Sequence, residues 1–207
     1  MRSTTDSTRP LVIGATATGL CRTPIGQDGA RAGDVLILTR PIGSGTLLAG
    51  HMGLQARGVD VSKLLATMAG LQQDAAEILA PKAHAMTDVT GFGLAGHLAG
   101  IATASNLLAT VFLNDVPYYD GALGLAAVGV RSSLYDANRA QLPFLHPTGP
   151  RSDLLFDPQT CGGLLASVLP THADRLLEAL HTAGHPAVII GRMDTPPQDD
   201  TSPLRLA

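Results

Sequence analysis

Apolar positions along this chain come in short runs broken by glycine and proline, and the spacing inside the runs alternates between strand-like and helix-like. Residues 11–20 alternate small, β-branched and apolar side chains and predict a strand. Residues 22–33 carry Pro24, Gly26, Gly29 and Gly33 and predict turns or a linker. Asp34-Val35-Leu36-Ile37-Leu38-Thr39 is a short apolar run between turn signals, the mark of a buried strand. A glycine turn at 41–45 leads to a short helix over 46–51. Over 61–80, Leu64, Leu65, Met68, Leu71, Ala75, Ile78 and Leu79 recur at helical spacing, which predicts one helix with Ser62 as its N-cap.

Residues 85–89 form a short run into a glycine cluster, and 94–105 read as a helix with small residues on its packing face. A strand is expected over 108–113 and a helix within 117–128. Leu154-Leu155-Phe156 enters a second glycine turn, followed by a strand over 164–169. A helix over 171–183 has Thr171 as cap and Gly184 after its end. The last strand is expected over 187–190, and the Pro- and Asp-rich tail from Asp194 reads as loose. Strands and helices mixed without a strict βαβ repeat, and with no internal repeat, predict an α+β (mixed α/β) domain.

Composition narrows this picture. With 207 residues, 45 % of them hydrophobic and 15 % charged, the chain fits one sizeable domain, or a domain plus a fragment, with a real core. Aromatics are only 3 % and Trp is absent, so Leu, Val, Ile and Ala must fill that core, with close backbone approaches at glycine. A net charge of −3 without a Lys/Arg cluster argues against a nucleic-acid surface. No apolar run approaches the roughly 18 residues of a membrane span. Cys21 and Cys161 form no CxxC, and residues 1–10 lack the plan of a signal peptide, so reduced thiols in the cytoplasm are expected.

The candidate chemistry sits in Thr87-Asp88-Val89-Thr90-Gly91-Phe92-Gly93-Leu94-Ala95-Gly96-His97. One carboxylate, two hydroxyls and several glycines ahead of an Ala-rich helix can present an acid and bare N–H groups to a phosphate or a metal. Asp88 has two readings: a Mg²⁺ ligand, or the cap of the following helix. Thr87 and Thr90 either donate to phosphate or satisfy the turn. His97 reads as a packed, hydrogen-bonded histidine. The second cluster, Asp157-Pro158-Gln159-Thr160-Cys161-Gly162-Gly163, is a tight turn or a site of close approach, and Cys161 reads as an inert buried thiol. Pro41-Ile42-Gly43-Ser44-Gly45 is no Walker A loop, because no Gly-Lys-Ser/Thr follows. Asn138-Arg139 offers a guanidinium fork to phosphate, or else a surface ion pair.

The segments from Ala85 to His97 and Leu154-Leu155-Phe156-Asp157-Pro158-Gln159-Thr160-Cys161-Gly162-Gly163-Leu164-Leu165 resemble the two long motifs of the selenophosphate synthetase (selenide, water dikinase) family. Leu36-Ile37-Leu38-Thr39-Arg40-Pro41-Ile42-Gly43-Ser44-Gly45 is similar to that family's Leu-Thr-Lys-Pro-Leu-Gly-x-Gly segment. Asn138-Arg139-Ala140 and Ile189-Ile190-Gly191 follow in the family's order. The wider superfamily includes aminoimidazole ribonucleotide synthetase, thiamine-phosphate kinase and a hydrogenase maturation protein.

The resemblance implies the C-terminal domain of the aminoimidazole ribonucleotide synthetase-like fold. It also implies a reaction of ATP, selenide and water that yields selenophosphate, AMP and phosphate with Mg²⁺. It assigns Asp88 to metal binding and Thr87, Thr90, Gly91 and Gly93 to the phosphate vicinity. It divides the chain into 1–32, a polar start with the last strand of an N-terminal ATP-binding domain, 33–193, the synthetase-like domain, and 194–207, a flexible tail. Ser3-Thr4-Thr5-Asp6 stands where the family's Gly-Gly-His-Thr/Ser loop would finish, and the family's Cys/Lys pair is absent. Gln72 stands where Asn is frequent and Cys161 where Ser is usual. The chain by itself is therefore expected to be inactive, and to work as a homodimer or paired with an N-terminal domain. The competing expectations are a non-catalytic docking or dimerisation domain, or another ATP-dependent member of the superfamily.

Overall fold

The computed structural model describes residues 14, 16, 18–21, 23–146, 148–198 and 202–207. In chain order its elements are β1 (Val35–Leu38), α1 (Ser44–Met52), α2 (Gly58–Ala69), α3 (Gln73–Leu79), β2 (Ala83–Asp88), α4 (Gly93–Ala104), β3 (Leu108–Val111), α5 (Ala122–Ala127) and α6 (Tyr135–Ala140). They continue with α7 (Pro150–Asp153), a 3₁₀ turn (Leu154–Phe156), β4 (Leu164–Val168), α8 (Pro170–Thr182), β5 (Val188–Asp194) and β6 (Leu204–Leu206).

The strands form one sheet in the order β2-β4-β1-β5-β3-β6, antiparallel except for the β3–β6 pair. Alternation along β1 assigns its side chains to two faces. Leu36 and Leu38 enter the larger core, while Ile37 enters a smaller one, and all three are fully buried. Each such burial contributes roughly 1.5–3 kcal/mol. The larger core packs Leu94, Leu98 and Ile101 of α4 with Phe156, and the smaller one joins Leu79 of α3 to Leu176 and Leu180 of α8. A bulge between Ala83 and Ala85 switches the phase of β2, so Ala83 packs against the smaller core and Ala85 joins the larger.

Several expectations need correction. The single helix over 61–80 is two helices. Gly70 leaves the helical conformation at φ −73°, ψ 138°, and its carbonyl accepts Arg40 Nη2 at 2.9 Å. Gln72 is drawn away by Gly162, whose carbonyl accepts its Nε2 at 2.9 Å. Tertiary hydrogen bonds thus break a pattern that is helical in sequence. Arg57, not Ser62, is the N-cap residue of α2, and Leu169, with Pro170 behind it, replaces Thr171 at α8. Asp194 belongs to β5, and the expected loose tail contains β6, which extends the sheet beside β3 with Leu204 buried. Of the strand expected over 11–20, residues 11–13, 15 and 17 lie outside the described residues, and the described ones form no strand. Residues 3–6 also lie outside the described residues.

Candidate functional site

Asp88 is the last residue of β2 and pairs in register with Leu164, the first residue of β4. That register brings the two glycine motifs together. Val89 N–H donates to Gly163 O at 2.9 Å, and Gln159 N–H donates to Thr90 O at 2.9 Å. Buried Asn138 ties both motifs, donating from Nδ2 to Gly91 O at 2.8 Å and to Phe156 O at 2.9 Å.

The glycines are needed for this contact. Gly93 has φ +73°, and a Cβ there would stand 2.7 Å from Leu155 O and 2.9 Å from the Phe156 carbonyl carbon. A Cβ at Gly162 would strike Val89 O.

This packing changes the reading of the phosphate-vicinity residues. Thr90 N–H donates to His97 Nε2 at 2.9 Å, and Gly93 N–H donates to Thr90 O at 3.0 Å. Neither is a bare donor facing outward. Thr87 Oγ1 donates to Asp88 O at 3.2 Å. His97 is buried in the place sequence reading gave it. Accepting a backbone N–H at Nε2 implies a neutral ring with its proton on Nδ1. Burial lowers its pKa, and the charge of Asp88 pulls the other way.

Asp88 itself is exposed, and its carboxylate makes no hydrogen bond or ion pair among the described residues. The capping reading fails, because Phe92 is the N-cap residue of α4 and no side chain caps that end. An outward, acceptor-only carboxylate beside a rigid turn fits one ligand of a Mg²⁺ ion, which takes oxygen donors and keeps phosphate and water oxygens in its shell. Among the described residues no group of three or more His, Cys, Asp or Glu is placed to hold a metal, so Asp88 offers one ligand and not a complete site.

Asp157 is the other carboxyl of the unit, and it points inward. It is 1 % exposed, accepts Thr46 Oγ1 at 2.8 Å and Gln159 Nε2 at 3.1 Å, and burial raises its pKa to about 6 against the pull of those donors. Gln159 Oε1 in turn accepts Gly43 N–H at 3.0 Å, Ser44 N–H at 3.2 Å and Ser44 Oγ at 3.1 Å. A side chain distant in sequence therefore caps α1, and the N–H groups of Gly43 and Ser44 are spent there. No local sequence signal announces that cap.

Cys161, expected to be buried, is exposed, with its backbone at φ 51°. The thiol is pushed outward because Gly162 and Gly163 on its C-terminal side pack inward against Val89 and Arg40. Cys21 is exposed as well. Arg139 turns to solvent from α6 while its neighbour Asn138 turns in, so only one of that pair joins the motifs. Sequence reading passed over the side chain of Arg40. It is 4 % exposed, and it donates to Cys161 O at 3.0 Å and Gly70 O at 2.9 Å.

Comparison with known proteins supplies the class to which this fold belongs. The family model for the AIR synthase related protein, C-terminal domain, matches residues 31–200, and the chain belongs to that family. It is 38 % identical over 173 residues to the selenide, water dikinase of Paraburkholderia xenovorans (strain LB400), which covers 80 % of this chain and 49 % of that protein. The chain thus spans about half the length of this curated relative.

Among solved structures, the thiamine-monophosphate kinase of Stenotrophomonas maltophilia K279a superposes with TM-score 0.64 at 18 % identity, over 88 % of this chain and 52 % of that one. The hydrogenase maturation protein HypE in complex with ATP gives TM-score 0.53 at 19 % identity, over 88 % and 50 %. These two likenesses concern the fold. Among the described residues no helix is long and apolar enough to cross a membrane.

Proposed function

We propose that this chain is the C-terminal part of a selenide, water dikinase, an enzyme that makes selenophosphate from selenide, ATP and water and releases AMP and phosphate. The observation that carries the reading is Asp88, held outward by two interlocked motifs and unpartnered among the described residues, in a chain 38 % identical to such an enzyme over 173 residues. In this reading Asp88 would supply one oxygen ligand to a Mg²⁺ ion that neutralises phosphate charge, and Thr87, its neighbour in β2, would stand in the phosphate vicinity. The HypE complex with ATP supports ATP as the nucleotide through the shared fold.

Phosphoryl transfer depends on positioning and charge stabilisation, and one carboxylate cannot supply enough of either. The remaining ligands and the selenide-handling groups come from an N-terminal domain. The role of this half is to close the site with a carboxylate whose position the β2–β4 register fixes.

The test pairs this chain with the N-terminal half of a relative and follows selenide-dependent AMP release. Asp88→Asn should keep the fold and lower turnover by about a hundredfold or more, the scale on which losing a transition-state electrostatic contact acts. Wild-type turnover in that variant removes Asp88 from the site. AMP release by the 207-residue chain alone overturns the requirement for a second domain.

A further inference from the structure

A cleft of about 610 Å³ opens beside the α2–α3 link, bordered by Arg40, residues 118–120 and residues 183–186. That volume is in the range that holds a small molecule. Its charges are nearly all accounted for. Asp60 is gripped twice by Arg57 at 2.7 Å, Asp120 is paired with Lys63 at 2.8 Å, and Asp74 accepts His185 Nε2 at 2.8 Å. Each lining carboxylate therefore has its own basic partner.

Arg40 is the exception. Its guanidinium is buried, lines the cleft, and joins no ion pair among the described residues. Its bonds go to two neutral carbonyls, which leaves N–H donors of the fork unused. A buried cation without a counter-charge is costly, and it calls for an anion.

A second orphan belongs to another residue lining the same cleft. The hydroxyl of Tyr119 is the one buried side-chain oxygen or nitrogen among the described residues without a hydrogen-bond partner. Tyr119 N–H donates to Ile42 O at 3.0 Å, and Ile42 N–H donates to Pro117 O at 3.0 Å, so the backbone pins this tyrosine alongside the Arg40 segment. Burial raises the Tyr119 pKa, with Arg40 near enough to oppose the rise, and the hydroxyl keeps its proton as a donor.

We propose that the Arg40–Tyr119 end of this cleft binds an oxyanion, the phosphate or carboxylate group of a small molecule, with the guanidinium fork and the tyrosine hydroxyl as its donors. The site uses neither Asp88 nor a metal, and it goes beyond the dikinase reading. An arginine serving only to staple the Cys161 and Gly70 carbonyls would explain its two bonds, but not the unpartnered buried hydroxyl of Tyr119, a residue that lines the same cleft.

Tyr119→Phe is the clean variant, because the hydroxyl has no partner among the described residues to lose and the fold is kept. The 207-residue chain is titrated with inorganic phosphate and, separately, with acetate, in the presence of EDTA, while NMR follows the tyrosine ring signals and calorimetry the heat. The expected result is saturable binding with a Kd of about 1 mM or tighter for at least one anion, weakened about tenfold in Tyr119→Phe. Preference for phosphate identifies a phosphoryl ligand, and preference for acetate a carboxylate ligand. Absence of saturation by either anion up to about 10 mM, or equal affinity in the variant, overturns the proposal.

Discussion

Two carboxyl groups show how position alone divides roles between like residues. Asp88 ends a strand at the surface and keeps both oxygens available, whereas Asp157 is enclosed and spends its oxygens on Thr46 and Gln159. The pKa of about 6 at Asp157, above its ordinary value of 3.8, gives a definite pH dependence. The folded chain holds that proton more tightly than the unfolded chain. This group therefore disfavours folding progressively as pH rises from about 4 to about 6, by up to about 3 kcal/mol, and by a constant amount above that. Chemical denaturation of wild type and Asp157→Asn from pH 4 to pH 7 checks this. Wild type should lose stability relative to the variant across that window, and parallel profiles would contradict the buried-acid account. Cys161 and Arg139 make the complementary point, since both face outward next to residues that turn in.

Elements here are ended and capped by distant partners. The first turn of α1 has no capping side chain of its own, and Gln159 reaches in to accept three of its donors. Gln159→Ala leaves those donors without a buried acceptor and removes one donor from Asp157. A loss of at least about 2 kcal/mol is expected from urea denaturation. A loss under about 0.5 kcal/mol, the range of surface substitutions, would show that water replaces the glutamine. The break between α2 and α3 has the same origin, because Arg40 and Gly162 hold the residues that would otherwise continue the helix. Local periodicity is blind to such bonds, which is why residues 61–80 read as one helix.

At the scale of the molecule, the sheet collects its chemistry at one end. β1 and β2 both run antiparallel to β4, so the C-terminal ends of β1 and β2 and the start of β4 lie together. Arg40 and Asp88 therefore flank the Cys161–Gly163 turn. The far edge is closed by β6, held by Ala109 N–H to Pro203 O and Ala207 N–H to Val111 O, both at 2.8 Å. Removing residues 202–207 uncovers the edge of β3 and the core surface that Leu204 covers, with loss of a burial of about 1.5–3 kcal/mol. Thermal melts of the shortened chain should show a lower Tm and faster aggregation. An unchanged Tm would mean that β6 adds nothing to the sheet.

The sequence by itself determined most of the strands, the helix that follows Asp88, the two glycine motifs and the kinship they carry. Those features are local: a strand shows its alternation and a turn its glycines wherever the rest of the chain goes. Tertiary structure alone decided that the two motifs pack on each other, that the N–H groups of Thr90 and Gly93 are consumed within the turn, and that the tail adds a strand. It also decided that Asp157 turns inward while Asp88 is exposed, and that Arg40 lies buried without a counter-charge among the described residues. Apart from the bonds of Thr90 and Gly93, which close within residues 90–97, these outcomes depend on groups that meet from distant parts of the chain, and hydrogen-bond partners far apart in sequence leave no periodic trace in it.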